Sequence, residues 1–189
     1  MSIDLRRARD HSLLDLIDAF ERQPISQSVW RVVRENRDPL QGGRSPSRWC
    51  NGAFDVVYTS LERDGALSEV YELLATQPVW PSKIRTFVHQ IAVHSLNTLC
   101  LPDLDALGGL GVDREKYRDR DYSRTQEIAD AAYFLGFSGL LVPSARWQCH
   151  NLVVFTDRVP PADIKIEKSD IDPTDLRKWR AGAVESGDR

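Results

Sequence analysis

The chain has 189 residues, a formal net charge of −3 and no apolar run near the roughly 20 residues that a membrane helix needs. Its length fits one domain with a sizeable core, and the slight acidity argues against nucleic acid as a direct partner. Three cysteines, at positions 50, 100 and 149, fit neither a disulfide framework nor a zinc site, and residues 1–10 are too polar for a signal peptide. We therefore expect a cytoplasmic protein without a membrane segment.

The N-terminal part is predicted to contain two helices and two strands, over residues 5–20 (helix), 29–33 (strand), 55–60 (strand) and 65–75 (helix). The first helix has apolar residues at helical spacing and must end before Pro24. Asp64 is placed to cap the second helix, which carries Glu69. The polar segment 34–52 is predicted to be a loop, and loops of this length in a compact domain tend to carry function.

The C-terminal part is predicted to contain four strands and two helices, over residues 84–93 (strand), 98–101 (strand), 103–107 (helix), 123–135 (helix), 139–142 (strand) and 152–155 (strand). Ser123 and Gln126 have the spacing of a capping box, and Gly136 fits the C-terminal cap of the same helix. The last two strands are apolar enough to be central in a sheet. From Pro160 onward apolar residues are few, and the chain is expected to fray after Trp179. These residues alone predict an α/β or α+β class.

Familiar catalytic signatures are absent from the sequence. The glycines at 108, 109 and 111 lack the dinucleotide-binding spacing, and the histidines and cysteines lack metal-ligand spacing, so neither a metal nor a prosthetic group is expected. What remains is a set of polar residues near predicted strand ends: Arg31, Arg48, Tyr58, Glu69 and Ser144. Each also has a structural interpretation, such as an ion pair, a core ring or a turn.

The order of these residues resembles the RES domain, a family named for an arginine, a glutamate and a serine. The resemblance covers about residues 29–155. It includes an arginine in the first strand, a tyrosine in a Tyr-x-Ser strand, a glutamate eleven positions later, a "GLLVPS" segment that ends in the serine, and an Asn-Leu pair. Matched in that order, the family positions are occupied by Arg31, Tyr58, Glu69, Ser144 and Asn151.

One element departs from the family pattern. Where the family has Gly-Arg-Trp-Asn, this chain has Ser47, Arg48 and a tryptophan followed by Cys50, and Asn51 comes one place late. Whether Arg48 or Arg44 faces the site therefore stays open.

The resemblance implies a fold and a reaction. The fold would be α+β, with a compact ADP-ribosyltransferase-like β-core of split sheets flanked by helices. The reaction would break the bond between nicotinamide and ribose of NAD, which is the substrate. ADP-ribose would pass to phosphate or water, as in an NAD phosphorylase or glycohydrolase. Transfer to a protein, or a binding module that has lost catalysis, are the alternatives.

The residue types suit that chemistry. Cleavage passes through an oxocarbenium-like sugar, whose positive charge Glu69 would stabilise. Arg31 and Arg48 would bind the diphosphate through their planar guanidinium groups. The ring of Tyr58 would stack on nicotinamide, while Ser144 would donate to the ribose or carboxamide, with Asn151 also at the NAD site.

The resemblance also implies a partner and a domain division. RES toxins are held inactive by an Xre-like antitoxin, which would cover the NAD cleft, and a homodimer is compatible with the family. We expect a helical appendage over residues 1–28, the RES domain over 29–180 and a flexible tail over 181–189.

Overall fold

The computed structural model describes residues 9–75 and 85–172, and the chain there has a mixed α+β fold. In chain order its elements are α1 (His11–Asp18), β1 (Gln23–Arg34), β2 (Val56–Ser60), α2 (Arg63–Ala75), β3 (Thr86–Cys100), α3 (Leu104–Gly109), α4 (Ser123–Phe134), β4 (Gly139–Pro143), β5 (His150–Phe155) and β6 (Ile164–Asp172). No helix within the described ranges is long and apolar enough to cross a membrane.

The six strands form one hydrogen-bonded sheet in the order β1-β2-β5-β4-β3-β6. β1 also pairs with β3, so five of the strands close into a ring. The sheet is thus continuous, where a split core was expected. The reason is the length of β3, whose 15 residues pair with β1 along one edge and with both β6 and β4 along the other.

β3 replaces two shorter strands that the sequence predicts. The polar residues between them suggest a break, but Ser95 takes a left-handed φ of 51° and the strand continues. The N–H of Ser95 donates a 2.9 Å hydrogen bond to Oγ of Ser26, next to the point where the pairing register of β1 shifts. The left-handed residue therefore lies within one continuous strand and does not end it.

The core lies on both sides of the curled sheet. One cluster fills the interior of the ring and draws on several strands, with Val29, Val57, Ile91 and Leu152 among its members. A second cluster packs α1, α3 and α4 against the outer face, and Leu13 and Ile17 of α1 are buried in it. A third lies under α2. The predicted domain boundary at residues 28 and 29 stays a prediction, and residues 181–189 and the fraying expected after Trp179 lie outside the described residues.

The start of α4 and the strand β6 differ from the sequence-based expectation, whereas the end of α4 agrees with it. Ser123 is the first residue of α4 and not its cap, since its N–H and hydroxyl both bond to Oδ1 of Asp121. Gly136 follows α4 with a φ of 86°, as its predicted role at the helix end requires. β6 was not predicted because it is an edge strand with mostly exposed, charged residues.

Candidate active site

The carboxylate of Glu69 is the centre of a hydrogen-bonded cluster that joins three elements of the fold. Oγ of Ser144 donates to Oε1 of Glu69 at 2.8 Å, and Nδ2 of Asn151 donates to the same oxygen at 2.9 Å. Glu69 lies on α2, Ser144 follows β4, and Asn151 lies in β5 opposite Ser60. α2 starts just after Ser60, and it carries Glu69 to within hydrogen-bond distance of Asn151 in β5. Three residues that the sequence predicts as site residues are thus brought together.

The turn after β4 holds Ser144 in a fixed orientation. Its Oγ accepts from the backbone N–H groups of Arg146 and Trp147, at 3.1 and 3.2 Å, while its own N–H donates to the carbonyl of Cys149 at 2.8 Å. The hydroxyl hydrogen is left to point at Glu69. Ser144 therefore orients the carboxylate and is itself oriented by the backbone.

Asn151 has a buried acceptor that nothing in the described part of the chain satisfies. Its Nδ2 is bonded to Glu69, whereas Oδ1 has no hydrogen-bond partner there. A buried polar atom without a partner costs about 1–3 kcal/mol, so such an atom in a native structure calls for an explanation. A sugar hydroxyl that entered beside Glu69 would supply the missing donor.

Tyr58 holds the loop between β1 and β2. Its hydroxyl lies 2.9 Å from Oγ of Ser47 and accepts the backbone N–H of Trp49 at 2.9 Å. Burial raises the pKa of Tyr58 to about 12, so the phenol stays protonated at neutral pH. Ser47, which replaces the glycine of the family pattern, thus has a defined partner.

Cys50, at the position where asparagine is usual, is buried in the same loop. Its thiol donates to the carbonyl of Phe54 at 3.4 Å, and the N–H of Gly52 donates to the sulfur. Burial raises the pKa of Cys50, which keeps the thiol protonated. The two departures from the family pattern are therefore accommodated by local hydrogen bonds.

Arg48 ties this loop to the segment before α4. Its guanidinium donates to the carbonyls of Tyr117 and Asp119 and lies over two rings, 4.8 Å from the centre of Tyr117 and 4.7 Å from that of Tyr122. Arg44 instead pairs with Asp55 at 2.9 Å, so Arg48 is the arginine of this loop that faces the Tyr117 side. To bind a diphosphate, Arg48 would have to give up these contacts.

Tyr117 is a residue near the site that the sequence analysis missed. Burial raises the pKa of Tyr117; the positive charge of Arg48 opposes the rise and the negative charge of Glu69 adds to it. Its hydroxyl donates to the carbonyl of Pro143, next to Ser144, at 2.7 Å. A tyrosine in a charged, exposed segment carries no sequence signal for such a position.

Arg31 lies apart from the Glu69 cluster. Strand alternation puts it on the opposite face of β1 from Trp30, which packs under α2. Its guanidinium donates to the carbonyls of Pro39 at 2.8 Å and Gln41 at 3.5 Å. Burial lowers the pKa of Arg31 to about 10, and the carboxylate of Asp38 opposes this shift. In the described part of the chain no hydrogen bond joins Arg31 to the cluster.

A cleft of about 500 Å³ opens beside Ser144. We call it the Ser144 cleft, and its lining includes Leu61, Leu104, Tyr117, Arg118, Ser144 and Trp147. Its size is that of a pocket for a nucleotide-sized molecule. The residues described, 9–75 and 85–172, contain no group of three or more histidine, cysteine or acidic side chains arranged to hold a metal ion.

The sequence profile of the RES domain matches residues 28–177, which is most of the chain. The chain belongs to the RES-domain family. This confirms the resemblance drawn from Tyr58, Glu69, Ser144 and their order. The match extends past residue 155, where the motifs of the resemblance end, and takes in β6.

Relatives of this RES protein carry enzyme names. It is 31% identical over 167 residues to the probable NAD(+) phosphorylase Rv3189 of Mycobacterium tuberculosis, covering 84% of this chain and 78% of that protein. It is 26% identical over 182 residues to the NAD(+) phosphorylase MbcT of Mycobacterium bovis, covering 92% of this chain and 98% of MbcT.

A solved structure has the same fold. The RES protein matches the toxin–antitoxin complex MbcT–MbcA of Mycobacterium tuberculosis with a TM-score of 0.81 and 26% identity, over 92% of this chain and 100% of the matched chain.

Proposed function

We propose that this chain is an NAD phosphorylase that acts as the toxin of a toxin–antitoxin pair. The observation that carries the proposal is the Glu69 carboxylate, which is fixed by Asn151 and by Ser144, a residue that also lines the Ser144 cleft. The names of relatives supply the reaction, since one is named an NAD(+) phosphorylase and another a probable NAD(+) phosphorylase. The buried, unpartnered Oδ1 of Asn151 supplies an acceptor that suits a sugar hydroxyl.

The reaction needs a stabilised cation more than it needs an acid. The bond between C1 of the ribose and the pyridinium nitrogen breaks, and the electron pair leaves with nicotinamide, which becomes neutral. A phosphate oxygen then forms a bond to C1 and gives ADP-ribose phosphate. Because the leaving group requires no proton, the reaction needs no general acid, and one carboxylate near the sugar is sufficient.

Each member of the cluster has a distinct task in this proposal. Glu69 offsets the positive charge that develops on the sugar. Ser144 and Asn151 keep Oε1 of Glu69 in place through their donors, while Oδ1 of Asn151 accepts a ribose hydroxyl. Arg48 and Tyr58 shape the site by holding its loops, and Arg31 holds the segment at Pro39 to Gln41. The sequence-based roles of Arg31 and Arg48 at the diphosphate, and of the Tyr58 ring under nicotinamide, stay predictions.

The same proposal covers fold type and partner. We assign an ADP-ribosyltransferase-like fold, which the curled sheet with flanking helices supports. The partner is an antitoxin of the Xre-like type that covers the NAD cleft, supported by the likeness to the MbcT–MbcA complex. The toxin consumes NAD in the cytoplasm of the cell that makes it, as a monomer or a homodimer.

Product analysis tests the activity. Purified protein is incubated with NAD, with and without phosphate, and nicotinamide and ADP-ribose derivatives are measured by mass spectrometry. We expect nicotinamide release that depends on phosphate, with ADP-ribose phosphate as product. Free ADP-ribose would indicate a glycohydrolase, and a labelled protein would indicate an ADP-ribosyltransferase. No nicotinamide release under any condition would exclude all three.

A further inference from the structure

The wall of the Ser144 cleft formed by the segment before α4 carries an arginine that has no partner within the described part of the chain. Arg118 lines the cleft and is exposed, and it makes no hydrogen bond or ion pair with any residue of 9–75 or 85–172. Its neighbour Arg114 also lines the cleft but is paired with Asp105. A guanidinium that is always charged and has five free donors is suited to an anionic ligand with several oxygens.

The lining and the size of the cleft indicate what kind of ligand it fits. Trp147 and Tyr117 give it flat aromatic surface, and Leu61 and Leu104 give it apolar surface. The cleft volume of about 500 Å³ is far larger than an inorganic anion requires. Arginine beside aromatic and apolar walls is the combination that recognises a phosphate attached to a base.

The position of the cleft relates this ligand to the reaction. Ser144 belongs both to the cleft lining and to the cluster that fixes Glu69. A molecule that extended along the cleft from Arg118 would therefore reach the carboxylate through Ser144. NAD has this form, because its adenosine and diphosphate are joined to the ribose that reacts.

We propose that the Ser144 cleft binds the adenosine diphosphate half of NAD and that Arg118 is its phosphate-binding residue. The inference rests on the proposed function for the identity of the substrate. Arg118 donates to the diphosphate and Trp147 lies against the base. Ser144 lies between this part of NAD and the reacting ribose. Glu62 and Glu115, which also line the cleft, are available as acceptors for the adenosine ribose hydroxyls.

ADP is the probe for binding to the cleft, because it has no nicotinamide–ribose bond that the protein could cleave. Its Kd is measured by isothermal titration calorimetry on the full chain, the Arg118→Ala variant and the Arg118→Lys variant. Arg120→Ala is the matched control, since Arg120 lies on the same segment and is exposed but does not line the cleft. We expect Arg118→Ala to weaken ADP binding at least about tenfold, as the loss of a charge-assisted hydrogen bond would. Lysine should restore part of the affinity, and Arg120→Ala should leave it unchanged.

The KM of NAD and of phosphate, from nicotinamide release, completes the test. A raised KM for NAD in Arg118→Ala, with the KM of phosphate unchanged, supports the inference. Absence of ADP binding to the unmodified chain would overturn it, as would an equal Kd in Arg118→Ala. A changed KM for phosphate alone would also overturn it, because Arg118 would then serve the acceptor. If NAD is not consumed but ADP binds through Arg118, the proposed function fails while the nucleotide site stands.

Discussion

Oγ of Ser144 donates a 2.8 Å hydrogen bond to Oε1 of Glu69, although the two residues are 75 positions apart in the chain. The hydroxyl also accepts two backbone N–H groups, so it has no freedom to turn away from the carboxylate. Asn151 donates to the same oxygen from the neighbouring strand. A carboxylate held from two sides is preorganised, because its position does not have to change when a positive charge develops beside it.

Replacing Glu69 with glutamine should abolish most of the activity. The amide keeps the shape of the side chain but removes the negative charge that stabilises the oxocarbenium-like sugar, and we expect nicotinamide release to fall by about 100-fold or more. Glu72→Gln, on the same helix, is the control and should keep normal turnover. The free energy of unfolding should change little in either variant. Equal rates for Glu69→Gln and the unmodified chain would place the reacting sugar elsewhere.

Replacing Ser144 with alanine should reduce activity and stability together. Glu69 loses one donor, and the N–H groups of Arg146 and Trp147 lose their acceptor, which should cost about 1–3 kcal/mol of unfolding free energy. Ser144→Thr keeps the hydroxyl and should recover most of both. Thermal unfolding and nicotinamide release are measured on the same samples. A variant that lost activity but no stability would argue for direct contact with substrate rather than for positioning.

Tyr58→Phe should destabilise the chain at neutral pH by about 1–2 kcal/mol, because the N–H of Trp49 loses its acceptor. The difference should depend on pH. Burial raises the pKa of Tyr58 to about 12, against about 10 in the unfolded chain. The phenol therefore contributes stability that is complete below pH of about 10 and is lost as the pH rises through about 12.

Urea unfolding of the unmodified chain and of Tyr58→Phe, measured from neutral pH to above pH of about 12, checks this pH dependence. The difference in unfolding free energy between the two proteins should become smaller above pH of about 10. A gap that stayed constant would mean that the hydroxyl of Tyr58 is solvated rather than buried.

Arg48→Ala should loosen the segment before α4. The variant loses contacts with two aromatic rings and two carbonyls, and we expect a loss of about 1–3 kcal/mol in unfolding free energy. Hydrogen exchange of the backbone N–H groups over residues 117–122 should become faster. Arg48→Lys should recover only part, since an ammonium cannot reproduce the planar fork. Unchanged exchange would show that the segment is held by other contacts.

Arg31→Ala distinguishes a structural role for Arg31, in holding the loop, from a role in binding the diphosphate of NAD. If Arg31 holds the loop, the carbonyls of Pro39 and Gln41 lose their donor, and the free energy of unfolding falls by about 1–3 kcal/mol. Arg31→Lys should be intermediate, because it keeps the charge with fewer donors. A normal unfolding free energy with a KM for NAD raised by about tenfold or more would instead place Arg31 at the diphosphate.

Much of the local structure could be predicted from the sequence, because it depends on short-range chemistry. Apolar spacing and Gly136 located α4, and continuous apolar runs located the central strands β4 and β5. The same reasoning treated the polar residues around Ser95 as a break and missed β6. A strand that continues through a left-handed residue, or that gains stability from pairing at an edge, depends on its partner strand.

The sequence by itself determined the family and predicted Glu69, Ser144 and Asn151 as site residues, because the order and spacing of these residues are a linear pattern. Only the tertiary structure decided what they contact. It joined the three at one carboxylate oxygen and placed Arg31 on the other face of β1. It also brought Tyr117 and Arg118 to the same cleft from a segment with no recognisable motif. Side-chain direction follows from strand pairing and helix packing, and these are set by contacts between residues far apart in the chain.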